Sequence, residues 1–476
     1  MSFIKYPANI NVDNDISIID PEMEKKPKLK IASEILEDSA FSHIPIIFTI
    51  IIETLNLIYL GHSSNSNVFN TFGFLICYLY LFGTLYCVGI IKSMNIYQDR
   101  YHFYLNYLNF KLIILLLVIF IISPFSFAFY ILTSTIFNNE ELFLWECYTG
   151  FVIYSPVIFY LFFLFLLNLT FLQKNGKRSS VLLYCFIFVV IYCVLLYMML
   201  FILKQQIEGI ALSLIITSCI CYLISNFTCS DEQSNYKYNK KLKNYNFIPN
   251  ISLSEIIHDD NLKFNISYCL FHGIATFLDE LPVYLNLFFS FFLQPNTFTT
   301  NIIYTNIFSL LQSFSMGLTS TLKNYIQYSS IGNKHSHQAK IKYVKIFTFV
   351  VVCLAIAIAV LLVFLGGNLQ NVYLKGRNNE IYMLIQNTYL LFACVVMSYY
   401  VSKEFEGYVR GINIKVNLKC YKIILMLVFV PVGLALCFVL NYGIKGIWIG
   451  MFMYIIVFMI PNAINVYRHY DLFFQR

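Results

Sequence analysis

The chain has 476 residues, 59% of them hydrophobic and 12% charged, with a formal net charge of +7 and a mean hydropathy of +0.68. So little polar surface cannot cover a water-soluble globule of this size, which excludes a soluble fold and points to a polytopic membrane protein in a lipid bilayer. The positive charge calls for no nucleic-acid partner.

Residues 1–40 are polar, with Lys25, Lys26, Lys28 and Lys30 ahead of the first apolar run, and they lack the apolar core of a signal peptide. They read as a cytosolic tail that turns helical at Ser33. Segments long enough to cross about 30 Å of hydrocarbon then follow near 44–60, 68–91, 112–136, 147–171, 181–203, 207–227, 264–292, 300–322, 346–366, 380–402, 422–441 and 446–467. This predicts an all-α chain of about twelve transmembrane helices. Six fall in an N-terminal half over 41–228 and six in a C-terminal half over 263–467. A loop over 229–262, rich in Asn, Tyr and Lys, joins the halves, and residues 468–476 form a short tail.

Orientation follows from the basic residues. Alternate gaps carry Lys92 and Arg100, then Lys174, Lys177 and Arg178, then Lys237, Lys240, Lys241 and Lys243, then Lys334, Lys340 and Lys342, then Arg410, Lys415 and Lys419. The gaps from His62 to Asn67 and from Gln294 to Thr299 have no Lys or Arg; the gap with Lys375 and Arg377 is a mild exception. The positive-inside rule places both termini and the 229–262 loop in the cytosol. An even number of spans per half makes the halves parallel repeats about an axis along the membrane normal. Two signatures recur at matching places. Ser33-Glu34-Ile35-Leu36 with Asp38 is echoed by Ser254-Glu255-Ile256-Ile257 with Asp259, and Ile207-Glu208-Gly209-Ile210 by Ile444-Lys445-Gly446-Ile447.

Ionisable groups inside spans mark function, because a charge in hydrocarbon persists only with a partner, water or a task. The seventh span holds the strongest set: Asp279 and Glu280 deep in apolar sequence, with His272 and Thr276 on the same helical face. Adjacent carboxylates repel in a low-dielectric site, so one of them carries a proton near neutrality and can exchange it for a cation. Pro282 follows and predicts a kink that serves as a conformational hinge. Glu53, with Asn56 one turn on, is either a second ion site in the first half or an interhelical tie. Glu404 and Glu406, near Lys403 and Arg410, read as a solvated salt-bridge cluster at the cytosolic end of the tenth span. Asn306 and Gln312 in the eighth span suit either a substrate or an interhelical hydrogen bond. The thirteen cysteines lie mostly in apolar runs with no metal spacing, so they read as packing residues, and no cofactor is implied.

The last hundred residues carry Gly407-Tyr408-Val409-Arg410-Gly411, Pro431-Val432-Gly433 and Gly443-Ile444-Lys445-Gly446-Ile447-Trp448-Ile449-Gly450. Earlier pieces are Leu60-Gly61-His62, Leu172-Gln173 with Gly176, Gly209-Ile210-Ala211, and Asn306-Ile307-Phe308 leading to Met316-Gly317-Leu318. This colinear series resembles the multidrug and toxic compound extrusion (MATE) transporters, especially the eukaryotic branch, over about residues 33 to 467. The resemblance implies two six-helix lobes around a V-shaped cavity that opens alternately to each side. It also implies export of organic, usually cationic, compounds in exchange for protons or sodium. Asp279 falls where eukaryotic members carry a required acidic residue, and Asn306 where they carry Asn or Glu. Asn56 stands where many prokaryotic members have an aspartate. Two further acidic positions of the family are Tyr284 and Tyr399 here, and the glycine-rich turn after the eighth helix is Lys323-Asn324-Tyr325-Ile326-Gln327.

The reading is therefore a proton-coupled antiporter for an organic cation, monomeric, in the plasma membrane or an organelle membrane. A carrier for an endogenous metabolite and a lipid-linked flippase of the same superfamily are the alternatives. A flippase would line its cavity with Arg or Lys to meet phosphates, and the spans as delimited hold almost none. A membrane-embedded enzyme would need a nucleophile and base that only His272 with Asp279 approaches.

Overall fold

The computed structural model describes residues 26–63, 67–76, 100–136, 145–234, 281–331, 337–376, 378–412 and 418–475, with isolated positions between 266 and 274. Among the described residues the chain is helices joined by short turns, with no strand. In the first half these are α1 (Lys28–Ser42), α2 (Ile44–Ser63), α3 (67–76), α4 (Arg100–Leu117), α5 (Ser123–Ile136), α6 (Trp145–Lys174), α7 (Arg178–Tyr197) and α8 (Ile207–Ser234). A π turn at Val118–Ile122 joins α4 to α5 as one rod. The second half holds α9 (281–290), α10 (Pro295–Ile331), α11 (His337–Leu365), α12 (Leu369–Tyr373), α13 (Asn379–Gly411), α14 (Leu418–Phe438) and α15 (Ile444–Gln475).

Among the described residues eight helices are long and apolar enough to cross a membrane, and α3, α9 and α14 are shorter apolar helices. With α10 these fall on the twelve expected spans, although most of the 68–91 span and much of the 264–292 span lie outside the described residues. Large apolar side chains such as Phe120, Phe186, Phe349 and Phe364 are more than half exposed, as a lipid-facing surface requires.

Helix α10, too polar to rank among those eight, is the central one. Thirty-seven residues of helix extend about 55 Å. Thr299, Thr300, Asn301, Thr305, Asn306, Ser309, Gln312, Ser315 and Thr319 are all buried, because α10 packs against α2, α13 and α1 and exposes little to lipid. Asn301 shows how this polarity is absorbed: its amide nitrogen donates to Ser290 Oγ at 2.8 Å, and Trp448 Nε1 donates to its Oδ1 at 3.1 Å. Tyr304 stacks on Phe392 at 4.4 Å and donates to the Ile385 carbonyl. The first-half core is aromatic, with Phe188 against Phe48 and Phe165 at 5.1 and 5.2 Å.

Helix α1 begins at Lys28, five residues before the expected Ser33, since Pro27 with an extended backbone starts it. It ends at His43, and Pro45 opens the next helix, so the chain breaks between α1 and α2. Gly176, with φ +74°, turns the chain from α6 to α7 in a conformation other residues rarely adopt.

Candidate functional site

The two halves meet along α2, α3 and α10. At the end opposite the basic loops they are closed. Lys375 N–H donates to the Gly61 carbonyl at 2.9 Å. His62 Nε2 lies 3.1 Å from the Val372 carbonyl. Thr299 donates to Asn70 Oδ1 at 2.7 Å, and Phe74 packs on Phe291 with ring centroids 5.1 Å apart. The approach leaves no room for side chains: a Cβ at Gly61 would lie 1.8 Å from the Tyr373 carbonyl oxygen, and one at Gly73 would lie 2.1 Å from Ile302.

Deeper along the same seam Asn306 bridges the halves. Its Oδ1 accepts from Thr54 of α2 at 2.9 Å and from Tyr373 of α12 at 2.8 Å. Its amide nitrogen is buried with no hydrogen-bond partner. Gln370, one turn from Tyr373 on α12, and Gln312 on α10 each bury a whole carboxamide without a partner. An unmade hydrogen bond at a buried polar group costs about 1–3 kcal/mol, so this seam concentrates polar groups that a ligand or water would satisfy.

Of the sequence-selected residues, His272, Asp279 and Glu280 lie outside the described residues. Pro282 is buried in the first turn of α9, and the kink expected N-terminal to it falls outside the described set. Two residues on, Tyr284 shares a hydrogen bond with Ser309 at 3.0 Å, one turn beyond Asn306 on α10. Tyr399 packs on Phe308 at 5.2 Å, and Lys403 Nζ lies 5.3 Å from its ring centre. Tyr284 is thereby brought one turn from Asn306, whereas Tyr399 meets Phe308, which points away from Asn306 on α10. Glu53, the residue before Thr54 in α2, is buried at 7% exposure. Asn56 is turned away from the seam: Tyr192 of α7 donates to Asn56 Oδ1 within the first half. Thr54, Tyr373 and Gln370 carry no sequence signal that singles them out; only the meeting of the halves reveals them.

The charged cluster on α13 differs from the solvated one expected. Glu406 is fully buried and holds Lys403 at 2.9 Å, Lys422 at 2.7 Å and Arg410. Lys403 and Lys422 are 8% and 4% exposed. Glu404, also buried, accepts from Thr348 at 2.5 Å. The helical ends of α10, α13, α14 and α15 pack over these groups and exclude water, which the local sequence does not disclose. Buried cations are likewise more numerous than expected. Lys111, one residue before the third expected span, is 1% exposed and bonds to Asn226 and Tyr222 at 3.1 and 3.3 Å. The Tyr107 ring lies 4.8 Å from its ammonium. Lys111 is enclosed within the first half, and Lys403 and Lys422 within the second, with Lys403 against the Tyr399 ring.

No family model matches this sequence, and no curated protein sequence matches it. Solved structures do. A eukaryotic MATE transporter, AtDTX14, superposes with a TM-score of 0.64 at 14% identity, over 92% of this chain and 96% of that one. An inward-facing multidrug resistance MATE family transporter of the MOP superfamily gives a TM-score of 0.68 at 11% identity, over 91% and 98%. A MOP superfamily transporter from Pyrococcus furiosus, described by the reverse polarity of its binding pocket, gives 0.62 at 13% identity, over 95% and 98%. Identities this low speak to architecture alone, and on that architecture this integral, multi-pass membrane protein has the fold of the MATE transporters.

Proposed function

We propose that this protein is a secondary active transporter that exports organic cations in exchange for protons by alternating access between its two halves. One observation carries the reading: the halves press together at one end and place a buried, partly unpaired amide, Asn306, between them on a helix rich in buried polar residues. Opening the opposite end admits a substrate to that seam. Asp279 and Glu280 supply the charge. Held close, one of the pair keeps a proton, which a bound cation displaces, and release on the far side lets the proton return. Tyr284, Tyr399 and Phe308 offer aromatic faces for a cation. The basic loops orient both termini and the 229–262 loop toward the cytosol.

Uptake of a fluorescent organic cation into reconstituted vesicles under imposed proton and sodium gradients tests this. A proton gradient drives uptake in the wild type. Asp279→Asn abolishes it while insertion and folding persist, because loss of a buried charge from hydrocarbon relieves a cost. Glu280→Gln shifts the pH optimum downward, and Glu53→Gln has the least effect. Uptake driven by sodium alone at fixed pH, or lost only in Glu53→Gln, would reject the proposal.

A further inference from the structure

We infer that α1 is a latch that stays docked on the second half and releases the first when the protein opens at its basic end. This rests on the alternating-access reading above. The helix crosses between the halves. Toward the second half it packs on α10 and α11, with Ile31 and Ile35 buried. Ser39 Oγ donates to Thr321 at 3.2 Å, and the Ser39 carbonyl sits so near Gly317 that a Cβ there would approach within 2.2 Å. Lys342 Nζ donates to the Lys26 carbonyl at 2.9 Å.

Toward the first half the contacts differ in kind. Arg178, the first residue of α7, pairs with Glu37 at 3.0 Å and Asp38 at 2.9 Å, and all three side chains are 41–55% exposed. Its guanidinium lies over the Phe41 ring at 5.1 Å. Gln173 adds one bond to the Phe41 carbonyl at 2.5 Å.

Exposed ion pairs are screened by salt and hold weakly, whereas buried isoleucines and backbone pressed against a glycine hold strongly. When the basic end opens, the weaker set parts first. The chain permits the movement: α1 joins the first half only through His43, where the helix is already broken ahead of Pro45. Gly317→Ala would lift α1 off α10 from the other side.

Pulsed electron spin resonance on the full chain tests the latch, with labels on non-canonical amino acids so that the thirteen native cysteines are untouched. Labels at Ser33, Ser179 and Lys345, all exposed, report α1 against the first half (33 to 179) and the second (33 to 345). In Arg178→Glu the 33–179 distribution lengthens and broadens while 33–345 holds. Combining it with Glu37→Arg and Asp38→Arg restores the wild-type distribution. Lengthening of 33–345, alone or with the other pair, no change in either, or no restoration by the reversed charges overturns the inference. These distances are read without substrate or gradient, so they stand or fall apart from the proton exchange tested in vesicles.

Discussion

Replacing Glu406 by Gln separates a buried charge network from a solvated one. The carboxylate is fully enclosed and faces Lys403, Lys422 and Arg410, the first two nearly as buried as itself. In a solvated cluster each pair would contribute about 0–1 kcal/mol and fade with salt. Here the amide leaves two enclosed ammonium groups uncompensated, a loss of about 3–5 kcal/mol. Arg410, 35% exposed, can turn to water and adds little. At about 2–4 °C per kcal/mol for a unit the size of one half, the melting temperature falls by roughly 6–20 °C. A thiol-reactive dye reads the transition, because Cys221, Cys229 and Cys437 are buried until the protein unfolds. Glu404→Gln is the control: its carboxylate is held by the Thr348 hydroxyl, and its removal leaves no enclosed cation behind. A melting temperature for Glu406→Gln equal to the wild type, or a loss that high salt erases in both proteins alike, would refute the reasoning.

Three further outcomes are expected. Gly61→Val drives a side chain into the Tyr373 carbonyl, so the protein inserts but the far end cannot close; spin-label distances across Gly61 and Tyr373 lengthen and vesicle uptake is lost. Tyr192→Phe removes the donor to buried Asn56 and destabilises by about 1–3 kcal/mol, with the pH profile of uptake unchanged, since that pair lies inside the first half. Burial and then the nearby Arg410 charge lower the Lys323 pKa, so the folded protein binds that proton less readily than the unfolded chain. Stability therefore rises as pH climbs from the lowered value toward the ordinary lysine range. Lys323→Met accordingly raises the melting temperature near neutrality and flattens this rise.

Hydrophobic length located the spans that fall among the described residues, because crossing hydrocarbon demands a run of apolar residues whatever the neighbours are. The all-α architecture and the choice of Asn306 follow from the same logic: a polar residue within such a run needs a partner. What each side chain meets is another matter. Glu406 reads as a surface charge because Lys403 and Arg410 lie three and four residues away on the same helix; only the packing of α14 and α15 over it adds Lys422 and removes the water. Lys111 falls one residue outside an apolar run yet is buried, since Tyr222 and Asn226 of α8 close over that part of α4. Asn56 and Glu53 look alike by position in α2. The packing of that helix sends Asn56 to Tyr192 within the first half, and it is Thr54, two residues earlier, that reaches Asn306 across the seam. Periodicity settles that a residue is inside a helix in a membrane, but the solvent it sees, whether lipid, protein or the other half, is set by contacts from distant segments.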